Sequence, residues 1–133
     1  RQGDCALLPK RGSLLSCLGI SGICRVINEI DSSDLQQRIA AGEDILLLDI
    51  RTEGEVAQGV LPGARHLPMH LIPVRISEFP KDKEIVLYCR SGARSYHACA
   101  YLTQQGYSNV VNLRGGIIGW ARGGYEIARR LAV

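Results

Sequence analysis

Ile85-Val86-Leu87-Tyr88-Cys89-Arg90-Ser91-Gly92-Ala93-Arg94-Ser95 is the stretch on which the reading of this chain turns. The apolar run up to Tyr88 has the pattern of a strand buried on both faces, which is the habit of parallel sheets. A cysteine closes the strand, a loop of small residues with two arginines follows, and a helix is expected from Ala93 to Gln105, ended by Gly106. Such a turn aims loop N–H groups, two guanidinium groups and a helix N-terminus at one sulfur. An ordinary cysteine thiol, with a pKa of roughly 8.5, is mostly protonated at neutral pH. Convergent N–H donors and a helix N-terminus favour the thiolate, which is the nucleophilic form. Gly92 supplies the backbone freedom that lets the loop curl round the sulfur. Arg90 and Arg94 are each suited to gripping an oxyanion. Cys89 is therefore the candidate nucleophile, and Arg90, Ser91, Gly92, Ala93 and Arg94 form the candidate substrate loop.

Outward from this stretch, strand-like and helix-like segments alternate, which predicts an α/β fold with a mostly parallel sheet. Val26-Ile27 predicts a short first strand. Asp31-Ser32-Ser33-Asp34 predicts a helix start, with Leu35, Ile39 and Ala40 on its apolar face and Gly42 as its stop. Ile45–Ile50 reads as a core strand, Thr52–Gln58 as a helical turn, and Arg65-His66-Leu67 as a brief strand. Met69–Phe79 predicts a helix with Pro73 in its first turn, and Asn109–Asn112 a further strand before Gly115-Gly116 and a short helix through Trp120. Two regions are expected: an N-terminal extension over residues 1–24 and one domain over 25–133. In the extension, Lys10-Arg11 and the interrupted apolar run Leu14–Ile23 only faintly mimic a signal peptide, and the run is too short to span a bilayer.

Composition bounds the function. The chain has 133 residues, 46% hydrophobic and 22% charged, enough for a core without disulfide staples. A formal charge of +3 with no basic run interleaved with aromatics gives no ground for a nucleic-acid partner. The five cysteines, Cys5, Cys17, Cys24, Cys89 and Cys99, are odd in number and irregular in spacing, which indicates neither a disulfide framework nor a zinc site. A reducing, cytoplasmic setting with no metal and no organic cofactor is the expectation. Cys99, beside Ala98 and Ala100, reads as a small core residue, with a resolving thiol as the minor alternative. His66, His70 and His97 have neither triad-like nor metal-like spacing.

Two chemistries use a thiolate in an anion-holding loop: phosphoryl removal and sulfur transfer. Cysteine phosphatases place their arginine at the sixth position after the cysteine; here that position is Ser95, and the arginine stands one earlier at Arg94. The shorter loop makes a tighter pocket, suited to a thiolate bearing one extra sulfur. A cysteine phosphatase or arsenate reductase is the disfavoured alternative.

At these residues the chain resembles the rhodanese family of sulfurtransferases, over roughly residues 26–125. Leu48-Asp49-Ile50-Arg51 looks like the family's element after the second strand. Glu55 with Gly59-Val60-Leu61-Pro62-Gly63-Ala64 resembles a second signature, and the Cys89 loop is similar to that of many single-domain members. Val111-Asn112-Leu113-Arg114-Gly115-Gly116-Ile117 with Gly119-Trp120 resembles the C-terminal signature. The resemblance implies a central five-stranded sheet flanked by helices on both faces, with the loop at the C-terminal edge of the sheet. It implies Asp49 and Arg51 as supports that brace the loop. It also implies a ping-pong cycle in which Cys89 takes a sulfane sulfur from a small anionic donor such as thiosulfate. The resulting persulfide passes its sulfur to cyanide, a low-molecular-weight thiol or a carrier protein. A protein-to-protein sulfur relay with incidental small-molecule activity is the alternative within the same chemistry. Val56 and Val60 replace an aromatic and a histidine common in the family. Ser91 stands where a thiosulfate-using subgroup carries lysine.

Overall fold

A computed structural model describes residues 27–129. The expected extension over residues 1–24, with Cys5, Cys17 and Cys24, lies outside the described residues, as does Val26. Five strands form one sheet: β1 (Glu29–Ile30), β2 (Ile45–Asp49), β3 (Arg65–His66), β4 (Glu84–Tyr88) and β5 (Val110–Leu113). Their order is β1-β5-β4-β2-β3, and every neighbouring pair is parallel. The α-helices among the described residues are α1 (Ser32–Ala40), α2 (Glu53–Val56), α3 (Ile72–Arg75), α4 (Ala93–Gln104) and α5 (Gly116–Arg122).

The period-two alternation of the strands splits the core into two layers. Leu48, Ile50, Ile85, Leu87, Cys89 and Val110 face the layer closed by Ile72 of α3 and by Ala98, Cys99 and Leu102 of α4. Leu47, Val86, Tyr88, Val111 and Leu113 face the other, closed by Leu35 of α1 and Trp120 of α5. Helices thus cover both faces, which is why β4 has no polar residue after Glu84. Asp31 caps α1 by accepting from the Asp34 N–H at 3.0 Å, as its sequence predicts. Arg38 on the same helix forks the Glu84 carboxylate and ties α1 to the start of β4.

Two elements differ from expectation. The first strand among the described residues is Glu29–Ile30, and Ile27 lies outside it; its register is set by β5, with Asn112 N–H on the Asn28 carbonyl and Arg114 N–H on that of Ile30. Ile27 instead packs against the α4-side core. The helix expected over Met69–Phe79 is broken into a 3-10 turn (Met69–Leu71), α3, and a second 3-10 turn (Ile76–Glu78). Pro73 sits in the first turn of α3, and Arg75 (φ −107°, ψ 13°) leaves α-helical geometry at the joint to the second 3-10 turn.

Candidate active site

The chain leaves β4 at Tyr88, in the middle of the sheet, and turns at once into α4. Cys89 occupies the bend and is 1% exposed. Its Sγ accepts the Gly92 N–H at 3.1 Å and faces Ser95 Oγ at 3.5 Å. Gly92 takes φ +100° as the N-cap of α4, a backbone conformation that L-residues resist. Burial pushes the Cys89 thiol up, but hydrogen bonds from the Ser95 hydroxyl and from the N–H groups of Ser95, Gly92 and Ser91 outweigh it. The net effect is a thiol below its ordinary value. Cys99, by contrast, is fully buried in the α4 core, and its thiol is pushed up to about 12 by desolvation, with a smaller push from Glu29. That is the inert core residue its neighbours predict.

The loop is held from behind. At the N-terminus of α5, Ile117 N–H donates to the Cys89 carbonyl at 3.0 Å and Ile118 N–H to that of Arg90 at 3.1 Å. Gly116 lies so close that a Cβ there would stand 2.6 Å from the Cys89 carbonyl oxygen. On the β2 side, Asp49 and Arg51 form a buried pair: Arg51 Nε reaches Asp49 Oδ1 at 2.9 Å and Nη2 reaches Oδ2 at 2.7 Å. Arg51 also donates to the Gly59 carbonyl and lies over the Tyr88 ring. Asp49 is in register with Tyr88, one residue before the cysteine.

A family model described as a rhodanese-like domain matches residues 31–122. The chain belongs to the rhodanese-like family. Among its relatives is a protein of Allochromatium vinosum named "Sulfurtransferase", 67% identical over 102 residues, covering 77% of this chain and 95% of that protein. A putative sulfurtransferase of Bacillus subtilis, YtwF, is 44% identical over 94 residues, covering 71% of this chain and 90% of that protein. A solved structure of a rhodanese-like domain protein from Staphylococcus aureus superposes with a TM-score of 0.71 at 28% identity, covering 79% of this chain and all of the other.

In this rhodanese-like chain, Ser91 and Gly92 of the loop expected from the sequence turn N–H groups toward the Cys89 sulfur. Arg94 forks the Glu55 carboxylate, Nη1 at 3.1 Å and Nη2 at 2.8 Å, so an anion bound there would share the guanidinium with Glu55. Glu55 is in turn fixed by Thr52, whose N–H and hydroxyl both donate to it in the capping box that starts α2. Arg94, then Thr52, hold the Glu55 carboxyl at about 2. Arg90 is exposed at the loop's outer edge. Three residues not singled out from the sequence join the site: Ser95, Asn112 and Glu29. Asn112 was the readable one, a polar side chain inside Val110-Val111-Asn112-Leu113. No cluster of three or more metal-ligating side chains occurs among the described residues. Nor is any helix among them long and apolar enough to cross a membrane.

Proposed function

We propose that this protein is a sulfurtransferase that carries sulfane sulfur as a persulfide on Cys89. The observation that carries the reading is the Cys89 sulfur itself, gripped by the Gly92 N–H and the Ser95 hydroxyl at the start of α4. The names of the two sulfurtransferase relatives support the same chemistry. Residues 25–133 are the catalytic domain in this reading, and a reducing, cytoplasmic setting suits its free thiols.

In the first half-reaction the Cys89 thiolate attacks the outer sulfur of a donor such as thiosulfate. A new S–S bond forms, the donor's S–S bond breaks, and sulfite leaves with the electron pair. In the second, an acceptor thiolate or cyanide attacks the terminal sulfur, and Cys89 leaves again as thiolate. Loop N–H groups hold the terminal sulfur's charge, and Arg90 is the cation free to meet the departing anion. No metal or organic cofactor enters either step.

Intact mass after incubation with thiosulfate tests this. A gain of about 32 Da, removed by cyanide and absent in Cys89→Ser, is the expected result. Absence of the adduct from both thiosulfate and mercaptopyruvate would overturn it.

The fork between Arg94 and Glu55 favours a second reading of the partners, in which sulfur arrives and leaves on carrier thiols and small dianions are poor donors. Glu55→Gln should loosen the fork and free Arg94. The KM for thiosulfate is then expected to fall about threefold at low ionic strength, in proportion to a half-exposed ion pair. Because the folded state depresses the Glu55 pKa, the pair is intact above the ordinary 4.5 and is lost as pH falls toward about 2. The difference between the two proteins should therefore stay flat from about pH 5 to about pH 9. Relative transfer rates to cyanide and to a carrier-protein thiol decide between the two readings.

A further inference from the structure

Asn112 is a buried amide in an apolar strand, 1% exposed. Its Nδ2 donates to Glu29 Oε2 at 2.8 Å and to the Gly92 carbonyl at 3.3 Å. Both partners are acceptors, so turning the amide round would set oxygen against oxygen. Oδ1 is thereby fixed toward Ser95, with no proton to offer. Ser95 Oγ lies within hydrogen-bond reach of that Oδ1 and of Cys89 Sγ, and the residue is fully buried. A serine hydroxyl has one proton for these two acceptors.

The proton inventory has two solutions. When Cys89 is a thiol, its S–H donates to Ser95 Oγ, Ser95 donates to Asn112 Oδ1, and every group is satisfied. When Cys89 is a thiolate, the hydroxyl turns to the sulfur and Oδ1 loses that donor. We infer that Ser95 is a one-proton switch set by Asn112: its hydroxyl points at Cys89 while the sulfur is a free thiolate, and at Asn112 once the charge is gone. The charge goes either by protonation or by passing outward to the terminal sulfur of a persulfide. Asn112 is thus a positioning residue that competes with the thiolate for the only proton Ser95 has. The role in turnover rests on the persulfide reading of Cys89; the ionisation behaviour does not.

The charged groups on the elements about the sulfur are Arg94 of α4, which interacts with Cys89 electrostatically and has Glu55 of α2 forked to it, the Asp49–Arg51 pair at the end of β2, and the exposed Arg90 of the loop. Beyond Asn112 lie Glu29 of β1 and Arg114, whose Nε is 3.6 Å from the Glu29 carboxylate. None of these residues is substituted in the variants below.

The test is the pH dependence of Cys89 alkylation by iodoacetamide, read by mass spectrometry on the tryptic peptide that ends at Arg90. Ser95→Ala removes the donor, and the midpoint is expected to rise by about one pH unit. Asn112→Ala removes the competitor, and the midpoint is expected to fall, by about half a pH unit. The double variant should match Ser95→Ala, because in this inference Asn112 sways the sulfur's ionisation through the hydroxyl and not through its bond to the Gly92 carbonyl. Ser95→Thr, which keeps the hydroxyl, should restore the unaltered midpoint. A purely structural role for Asn112 would loosen the loop and move its variant upward, in the same direction as Ser95→Ala. An upward or null shift in folded Asn112→Ala, or a double variant that departs from Ser95→Ala, overturns the switch.

If Asn112→Ala does not fold, the unaltered chain decides. The carbon-13 shift of the Asn112 side-chain carbonyl should titrate with Cys89, and should cease to do so in Ser95→Ala. A carbonyl shift that ignores the Cys89 titration overturns the inference. Failure of persulfide formation alongside a normal set of midpoints would instead count against the proposed function alone.

Discussion

Gly116→Ala is expected to destabilise the fold by roughly 3–5 kcal/mol and to abolish sulfur loading of Cys89 in whatever fraction remains folded. Two costs add. Gly116 has φ +58°, in the left-handed region, where an alanine costs about 1–2 kcal/mol. The new Cβ would also fall within contact of the Arg90 carbonyl and 2.6 Å from the Cys89 carbonyl oxygen, and these are backbone atoms with no rotamer to move aside. Relief requires α5 and the loop to separate, which breaks the hydrogen bonds from Ile117 and Ile118 that fix the Cys89 and Arg90 carbonyls. The sulfur then loses its geometry even where the sheet survives. Gly42→Ala is the control: it shares a positive φ of 80°, but nothing lies within 4 Å of the added Cβ. Urea denaturation of the two variants separates conformational strain from the clash. Equal stability of Gly116→Ala and Gly42→Ala would show that the close approach of α5 carries no energetic weight.

Burial and register decide which elements are marked by their own residues. β2 and β4 are legible because both are buried on both faces and therefore continuously apolar, and α1 because Asp31 and Gly42 punctuate it. The position of Cys89 follows from β4 with no further information. β1 is displaced because a two-residue edge strand takes its place from a partner's register, and the apolar character of Ile27 serves core packing instead. The Met69–Phe79 segment satisfies helical periodicity, yet tertiary packing of Ile72, Met69 and Ile76 is met by three short turns. The fork at Arg94 is hidden from the sequence for a different reason. Its neighbours in the sequence mark it as an anion grip, and its actual partner, Glu55, is 39 residues away on an element whose position depends on the whole sheet. Long-range pairs of this kind, like Ser95 with Asn112, are products of topology. Only the isolated polarity of Asn112 in its strand leaves a local trace of one.

Asp49→Ala should be the most costly change away from the loop, at about 3–5 kcal/mol, because it strands a buried guanidinium. Asp49 is fully buried and Arg51 is 5% exposed, so water cannot take over the lost partner. Arg51 would keep the Gly59 carbonyl and its place over Tyr88, but the three side-chain contacts to the Asp49 carboxylate would be gone, as would the backbone N–H bond to Oδ1. The effect reaches the site through β4: Asp49 pairs in register with Tyr88, and the Ile50 N–H holds the Tyr88 carbonyl at 3.2 Å, one peptide before Cys89. A slower rate of persulfide loading is expected to accompany the loss of stability. The pair's net worth is a separate quantity from the cost of breaking it, since both ions also forfeit hydration on burial. Asp49→Leu combined with Arg51→Met removes both charges together, and chemical denaturation should show it recovering most of the stability that Asp49→Ala loses. If loading recovers with stability, the pair acts only as packing beneath the cysteine. If stability returns and loading does not, the hydrogen bond from Arg51 to the Gly59 carbonyl, which the double variant lacks, is what holds the β2–β3 side of the site in place. A double variant as unstable as Asp49→Ala would contradict the stranded-charge account altogether.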